Sequence, residues 1–370
     1  MLKLLHCGDI HLDSPFSLLD REESLRRRDE LRRTFLEMLA FARTEGVAVV
    51  LIAGDLFDHG FATAETLNLL CEAFCAMEDI RFVIAPGNHD AAVAGSAYLG
   101  GKFPENVTIF TSETLDYVDY DDLGLRVWGY GFTSERLERS PLAGQNLTVP
   151  GKTAVLCAHA DLGAPLSKYA PLSGADLAAS GLCYAALGHV HNPGEPQTFG
   201  STLAAYSGCL VGRSYDECGF GGAVLVGIED GRVAEWRRVP LAHRQYLVEQ
   251  LTVDGAASDA DVIAALTTKI TAVGWGDETA LRVQLTGAVE PAYAPNLNAI
   301  ADTCRAGLWQ LELQDHTLPV WGSDYLERDP SIRGALYRTL LPQMQTGTPD
   351  ERSRAVAALR LGLAALEGKL

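Results

Sequence analysis

At 370 residues the chain is long enough for about two or three domains, and 47% hydrophobic with 21% charged residues is a globular composition, not a disordered or fibrous one. The balance of 30 Lys+Arg against 48 Asp+Glu gives a net charge of −18, which argues against strong non-specific binding to nucleic acid but allows an enzyme whose metal ions and partner supply positive charge. No apolar run approaches the roughly 18 residues of a membrane span, the N-terminus reaches Asp9 too soon for a signal peptide, and the cysteines form no CxxC pair, so a soluble, cytoplasmic protein with reduced, buried cysteines is expected.

In chain order, Leu2–His6 reads as a short buried strand. A long helix follows over about Glu22–Thr44, with Leu25, Leu31, Phe35, Leu39 and Ala42 at helical spacing. Val47–Ala53 and Arg81–Ala85 are further strands, separated by a helix at Ala62–Met77. Leu125–Tyr130, Ala154–Ala158 and Tyr184–Leu187 continue the series, and the alternation predicts a layered α/β domain. Ala223–Ile228 and Arg232–Val239 flank the turn Glu229-Asp230-Gly231 and read as a hairpin. From near Arg244 a β-α-β-α-β unit is expected, with strands at Val248–Val253, Leu281–Thr286 and Trp309–Gln314 and helices at Asp259–Ala272 and Asn296–Arg305. The chain from Ser331 reads as helical: Thr348 and Glu351 form a capping box around Pro349, and Val356, Leu359, Leu363 and Leu366 make one apolar stripe. The expected division is 1–240, 244–320 and 330–370.

Five polar clusters sit just after apolar strands: Asp9-Ile10-His11; Gly54-Asp55-Leu56-Phe57-Asp58; Gly87-Asn88-His89-Asp90; His159; and Gly188-His189-Val190-His191. In open α/β sheets, sites form at the carboxyl ends of strands, so these clusters can converge. One intervening residue puts Asp9 with His11, and His189 with His191, on one face of an extended chain. Carboxylate, imidazole and amide oxygen without thiolate suit Mn²⁺, Fe²⁺ or Zn²⁺. Two such ions roughly 3.5–4 Å apart would bind a phosphodiester and lower the pKa of a bridging water. Asp55 is the natural bridging carboxylate, central in chain order and alone in its turn.

This order of motifs resembles the calcineurin-like metallophosphoesterases, whose pattern is D-x-H, G-D-x-x-D, G-N-H-D, H and G-H-x-H. The resemblance implies a four-layer α/β/β/α sandwich. It also implies one ion on Asp9, His11, Asp55 and His191 and a second on Asp55, Asn88, His159 and His189, with Mn²⁺ the expected metal. His89 would be the catalytic non-ligand and Asp90 would orient it. The neighbourhoods of the motifs, and Tyr206-Ser207-Gly208 followed by Gly212-Arg213-Ser214-Tyr215-Asp216-Glu217-Cys218-Gly219, look like the SbcD/YhaO-type DNA-repair exonuclease branch. In that branch the β-α-β-α-β unit caps DNA, and the C-terminal helices can dock on an SbcC-like coiled-coil ATPase. DNA, that ATPase and, as an open alternative, a second copy of the chain are the expected partners; a membrane is not. Gly221-Gly222 departs from the lysine-glycine expected there and removes a positive charge.

Each motif alone has a plainer reading. Asn88-His89-Asp90 after Pro86-Gly87 could be only a turn, and His189 and His191 satisfied polar residues at a strand end. Arg21, Arg26, Arg27, Arg28, Arg32 and Arg33 could touch phosphates, but the i,i+4 pairs Glu22/Arg26 and Glu23/Arg27 fit a solvated helix face. His59 reads as a loop residue, and His6, His243 and His316 as structural. The expected function is dimetal-dependent hydrolysis of DNA phosphodiesters. The alternatives are a phosphoesterase on nucleotides or small phosphodiesters, and a metal-bound scaffold for an ATPase.

Overall fold

The computed structural model, which describes residues 1–17, 19–58, 62–290, 293–319 and 323–366, opens on β1 (Leu2–Cys7). His59 lies outside the described residues. β1 pairs parallel with β2 (Val49–Ile52), Leu4 opposite Val49, across the long helix α1 (Arg21–Glu45). Asp20 caps α1 by accepting from the Glu23 amide at 2.9 Å. α2 (Ala64–Cys75) leads to β3 (Arg81–Ile84), again parallel, and α3 (Ala97–Gly100) precedes the edge strand β4 (Val107–Ile109). A second sheet then forms from β5 (Asp116–Tyr120), β6 (Leu125–Gly129), β7 (Thr153–His159), β8 (Tyr184–Gly188), β9 (Gln197–Phe199) and β10 (Thr202–Tyr206), in the order β5-β6-β7-β8-β10-β9. α4 (Gly174–Ser180) lies between β7 and β8 in the chain. β11 (Gly219–Glu229) returns to the first sheet antiparallel to β1, with β12 (Arg232–Thr252) as its neighbour. Asp230 and Gly231 both have positive φ, 49° and 72°, as the expected tight hairpin requires.

Three apolar layers hold these elements. Leu31, Phe35, Met38, Leu70 and Phe74 from the helices pack on Leu5, Val50, Ile52 and Phe82. The opposite face of that sheet, including Leu4, Val49, Leu51 and Val83, packs on Val127, Val155, Tyr184 and Ala186 of the second sheet. The outer face of the second sheet, with Leu156, Ala185 and Leu187, is covered by Leu142, Leu147 and Leu177. The order helix, sheet, sheet, helix is the expected four-layer sandwich. Leu25 departs from the expected α1 face and is 51% exposed; Arg27 takes a buried place there, paired with Glu30 at 2.7 Å.

His6 joins the two sheets. Its Nδ1 lies 2.8 Å from the Tyr184 hydroxyl and its Nε2 3.1 Å from the Leu187 carbonyl. A neutral ring suits this: Nε2–H donates to the carbonyl and Nδ1 accepts from the hydroxyl. Burial pushes its pKa down to about 3, with the Arg238 charge adding to the effect against the Leu187 carbonyl. The unfolded chain therefore takes up this proton first. The stability His6 confers is complete above its ordinary value of about 6.5 and is lost progressively towards 3; at pH 5 the loss is about 2 kcal/mol. Urea unfolding should show wild-type stability falling more steeply between pH 7 and 5 than that of His6→Gln; equal slopes would refute this.

The chain divides into two compact units, Met1–Gln245 and Tyr246–Leu370. In the second, α5 (Asp259–Val273) and α6 (Leu297–Cys304) accompany β13 (Thr279–Thr286) and β15 (Gln310–Asp315), which pair in parallel around a core including Leu266, Leu281, Val283 and Ile300. β14 (Ala288–Val289) and β16 (Leu318–Pro319) form a short parallel pair. α7 (Ser323–Arg328), α8 (Ile332–Thr346) and α9 (Pro349–Leu366) share a core containing Leu326, Tyr337, Met344, Val356, Leu359 and Leu363. Val356, Leu359 and Leu363 of the expected stripe are therefore buried within their own unit; Leu366 is 46% exposed, and Leu361, outside the stripe, 60%. The Thr348/Glu351 capping box forms, with the Thr348 amide 2.8 Å from Glu351 Oε2. No described helix is long and apolar enough to cross a membrane. All eight cysteines are free; Cys75 is exposed, contrary to the expected burial.

Candidate metal centre

The strands β1, β2, β3, β7 and β8 end at Cys7, Ile52, Ile84, His159 and Gly188, and the five polar clusters lie at or just beyond these ends. The expected extended backbone is not what pairs the side chains. Asp9, His11 and Asp55 have φ of 49°, 52° and 50°, and His189 has 107°. The strands stop first, and left-handed turns swing the side chains inward. Such backbone costs on the order of 1–3 kcal/mol per residue and persists only where neighbours enforce it. Here the Asp9 amide donates to the Gly54 carbonyl at 3.0 Å, and the Ile10 and His11 amides both reach the Asp55 carbonyl at 2.9 Å.

Glycine is required where backbone meets the centre. A Cβ on Gly87 would land on the Asp55 carboxylate, and one on Gly54 on the His159 ring. Gly87→Ala should therefore displace Asp55 and, if this cluster holds a divalent ion, weaken its binding by about 10–100-fold, as loss of a supporting contact to a metal ligand does. Calorimetric titration with Mn²⁺ checks this, and unchanged affinity would refute it.

Three imidazoles follow one plan. His11 Nδ1 lies 3.1 Å from Asp58 Oδ1, His159 Nδ1 is 3.1 Å from the Ala53 carbonyl, and His191 Nδ1 is 2.7 Å from Glu217 Oε1. With Nδ1 so held, Nε2 turns inward. Nε2 of His11 and of His159 lie 3.8 Å and 3.6 Å from Asp55 Oδ2. His191 Nε2 is 3.7 Å from Asp9 Oδ1 and 3.2 Å from His11 Nε2. Two ring nitrogens facing one another beside carboxylates, each ring tethered at its other nitrogen, is the arrangement of metal-ligating histidines. Asp9, His11, Asp55 and His191 can bring one ligand atom each within 4.8 Å of all the others.

On the other side of Asp55, Asn88 Oδ1 lies 2.9 Å from His159 Nε2. The His189 ring is 5.1 Å from that of His159 and packs on Tyr169 at 4.8 Å, while its amide donates to both Asp9 oxygens at 3.0 Å. Asp55 thus stands between His11, beside His191 and Asp9, and His159, beside Asn88 and His189. Burial lowers the pKa of His11 and of His189, in the latter helped by His159, which leaves their lone pairs available for a cation. Burial alone would raise the Asp55 carboxyl; the charges of His159, His11 and His89 hold it low. The donor set fits divalent ions.

His89 sits exposed at the rim, its Nδ1 3.3 Å from the Asp58 carbonyl and its amide 3.0 Å from Asp55 Oδ1. Asp90 does not orient this ring, as the sequence suggested. Its carboxylate collects the amides of Asp55, Leu56, Phe57 and Gly87 and the Tyr98 hydroxyl, so it shapes the two turns that carry Asp55 and Asn88. Burial and the Asp55 charge push the Asp90 carboxyl up to about 6, against Tyr98, Gly87 and Phe57. Tyr98, Tyr169 and Glu217 were not expected from sequence as parts of the site. The one signal was Glu217 four residues after Arg213, and it carries no chemistry by itself.

Most of the arginines of α1 are engaged within the protein. Arg26 meets Glu22, Arg28 donates to the Ser14 carbonyl at 3.0 Å, Arg32 meets Asp13, and Arg33 lies near Glu37. Gly221 and Gly222 line a pocket of about 280 Å³ beside His191, together with Arg238, which donates to the Ser207 and Gly194 carbonyls.

The family model described as calcineurin-like phosphoesterase matches residues 2–209. YhaO of Bacillus subtilis (strain 168), described as an uncharacterized metallophosphoesterase, is 29% identical over 271 residues, 68% of this chain and 63% of its own length. The DNA double-strand break repair protein Mre11 of Aeropyrum pernix is 30% identical over 277 residues, 70% of this chain and 65% of its own. The SbcD component of the SbcCD nuclease of Bacillus subtilis (strain 168) is 24% identical over 300 residues, 69% of this chain and 73% of its own. The chain spans less than two thirds of the length of the first two relatives.

Proposed function

The chain belongs to the calcineurin-like phosphoesterase family, and from that membership we propose that it is a dimetal phosphodiesterase acting on DNA, of the SbcD/YhaO type. The observation that carries this is the gathering of six further oxygen- and nitrogen-bearing side chains about Asp55, with His159 and His191 hydrogen-bonded at Nδ1 and His11 Nδ1 3.1 Å from Asp58. Asp9, His11, Asp55 and His191 would hold one ion, and Asp55, Asn88, His159 and His189 the other. The donor set suits Mn²⁺, Fe²⁺ or Zn²⁺, and the resemblance to the family makes Mn²⁺ the ion proposed. Two such ions would polarise a phosphodiester and make a nucleophile of water at neutral pH.

The chain's own residues do the rest. Asp58, Glu217 and the Ala53 carbonyl fix the ligand tautomers. Asp90 keeps the two ligand-bearing turns in register. His89, at the rim, would donate a proton to the leaving oxygen or stabilise charge on the phosphoryl group. The relatives named for double-strand break repair and for SbcCD favour DNA over small phosphodiesters. The name of a subunit of SbcCD, with the resemblance of the motifs to that branch, supports an SbcC-like coiled-coil ATPase as partner in this reading; the cytoplasm as place of action and a homodimer go with it as expectations. In this reading the β-α-β-α-β part of the second unit caps DNA, and any docking by the C-terminal helices uses exposed residues such as Leu361 and Leu366, because Leu359 and Leu363 are core.

Hydrolysis of linear duplex DNA and of bis-p-nitrophenyl phosphate, with and without Mn²⁺, tests the proposal. Metal-dependent cleavage of both is expected. Cleavage of the small ester alone would favour the nucleotide or small-phosphodiester reading, and bound metal with no hydrolysis would favour a scaffold.

A further inference from the structure

Arg213 is not among the residues that would hold metal, yet it touches both supports of the centre. Its Nη1 lies 3.0 Å from Asp58 Oδ1 and its Nη2 2.8 Å from Glu217 Oε1. Its backbone amide donates to Glu217 Oε2 at 2.7 Å. Asp58 and Glu217 are the carboxylates beside Nδ1 of His11 and of His191, at 3.1 Å and 2.7 Å, and Arg213 Nη2 itself lies 3.2 Å from His191 Nδ1. Those histidines follow strands of different sheets, β1 and β8, and meet only at the centre. The loop bearing Arg213 is itself tied down: the buried Arg27 of α1 donates to the Gly212 carbonyl at 2.7 Å.

We propose that Arg213 is a positioning residue for the metal centre, clamping Asp58 and Glu217 so that His11 and His191 present their Nε2 atoms to one ion. The inference rests on the dimetal reading above. Two physical arguments carry it. Asp58 and Glu217, each 7% exposed, stand beside the buried Asp9 and Asp55; four carboxylates so close need a fixed cation that also keeps the outer two from turning onto the ion. The guanidinium is a rigid planar fork that can meet two carboxylates at once, whereas an ammonium is a point charge with no fixed direction. Charge alone is therefore not enough, and lysine should replace it only in part.

The test is Mn²⁺ titration calorimetry on the full chain, comparing wild type, Arg213→Ala and Arg213→Lys, with and without added guanidinium. ¹⁵N NMR of the histidine rings accompanies it. Wild type should bind two ions. Arg213→Ala should weaken one binding event about 10–100-fold, the range for loss of an outer partner of a ligand, and leave the other nearly unchanged. Guanidinium should recover part of that loss, and Arg213→Lys should fall between. In the apo state, the rings of His11 and His191 should lose their uniform Nδ1–H form in Arg213→Ala. Unchanged affinities, or equal weakening of both events without rescue by guanidinium, would overturn the proposal. If Arg213→Ala does not fold, Arg213→Lys decides: one weakened event supports the clamp and none refutes it. A wild-type chain that binds no Mn²⁺ would overturn the dimetal reading itself, and the clamp with it.

Discussion

Asp55→Asn is expected to lose metal and hydrolysis together, the largest effect of any single substitution in this protein. Asp55 Oδ2 faces Nε2 of His11 at 3.8 Å and of His159 at 3.6 Å, while Oδ1 accepts the His89 amide at 3.0 Å. One of its oxygens thus faces ring nitrogens of both groups of expected ligands. Asparagine keeps the size but has a single acceptor oxygen. Its amide nitrogen must then face either the two imidazole nitrogens, taking up the lone pairs the ion would need, or the His89 amide, whose hydrogen repels it. It also removes the negative charge that would balance two dications. Turnover should fall by more than the roughly 10²–10⁴-fold typical of losing a general acid or base, because a ligand to both ions is lost. Elemental analysis after Mn²⁺ loading should find fewer than two ions per chain, while the urea midpoint of the apo protein changes little. Two tightly held ions in Asp55→Asn would disprove the bridging role.

The ligands were legible because each sits at the end of a short apolar strand, where residue type and order both carry information. The five clusters can be found that way with no knowledge of packing; singling out Asp9, His11, Asp55, Asn88, His159, His189 and His191 within them rested on the resemblance to the family's motif order. Their backbone could not be found that way. Nothing local predicts φ of 107° at His189; its amide is held by Asp9, 180 residues earlier in the chain. The supports were hidden for the same reason. Asp90 is adjacent to His89 in sequence, but its burial turns it towards the backbone of the Asp55 turn. Glu217 and Tyr169 reach their histidines from distant loops. The strand Arg232–Thr252 reads as two because Pro240 interrupts its pattern; in the structure that proline is exposed, as a strand tolerates where no ladder donor is needed. β10 went unread because Thr202-Leu-Ala-Ala-Tyr has little β-branching and no alternation.

The acidity of the chain bears on how DNA would be held. Arg26, Arg28 and Arg32 of α1 spend their charge on neighbouring carboxylates and carbonyls, which leaves this helix less of a basic face than its sequence suggests. Arg238, beside Gly221 and Gly222, is likewise committed to two carbonyls. With a net charge of −18, attraction for phosphates would have to come from bound cations and from a partner's surface. Few phosphate contacts give a shallow dependence of affinity on salt, about −0.9 in log–log slope per phosphate neutralised. The isolated chain should therefore hold DNA weakly, and a basic partner would raise both affinity and slope.

His89→Gln should leave metal content intact and lower turnover on DNA by about 10²–10⁴-fold, or roughly 3–5 kcal/mol in the barrier. The ring stands exposed at the rim with Nδ1 towards the Asp58 carbonyl, which leaves Nε2 to face an incoming ester. It could compete for another role, since His11, Asp58 and His89 can also bring ligand atoms together within 4.8 Å. That second grouping is already satisfied internally: Asp58 Oδ1 lies 3.1 Å from His11 Nδ1 and 3.0 Å from Arg213. Glutamine keeps the reach and a hydrogen-bond donor but cannot release a proton. Its effect should therefore depend on the leaving group. An alkoxide leaving from DNA needs protonation far more than p-nitrophenolate does, so the loss should be large on DNA and small on bis-p-nitrophenyl phosphate. Equal losses on both substrates would make His89 a stabiliser of phosphoryl charge and not a proton donor. Loss of bound Mn²⁺ in His89→Gln would make it a ligand, and the roles of His11 and Asp58 would have to be redrawn around it.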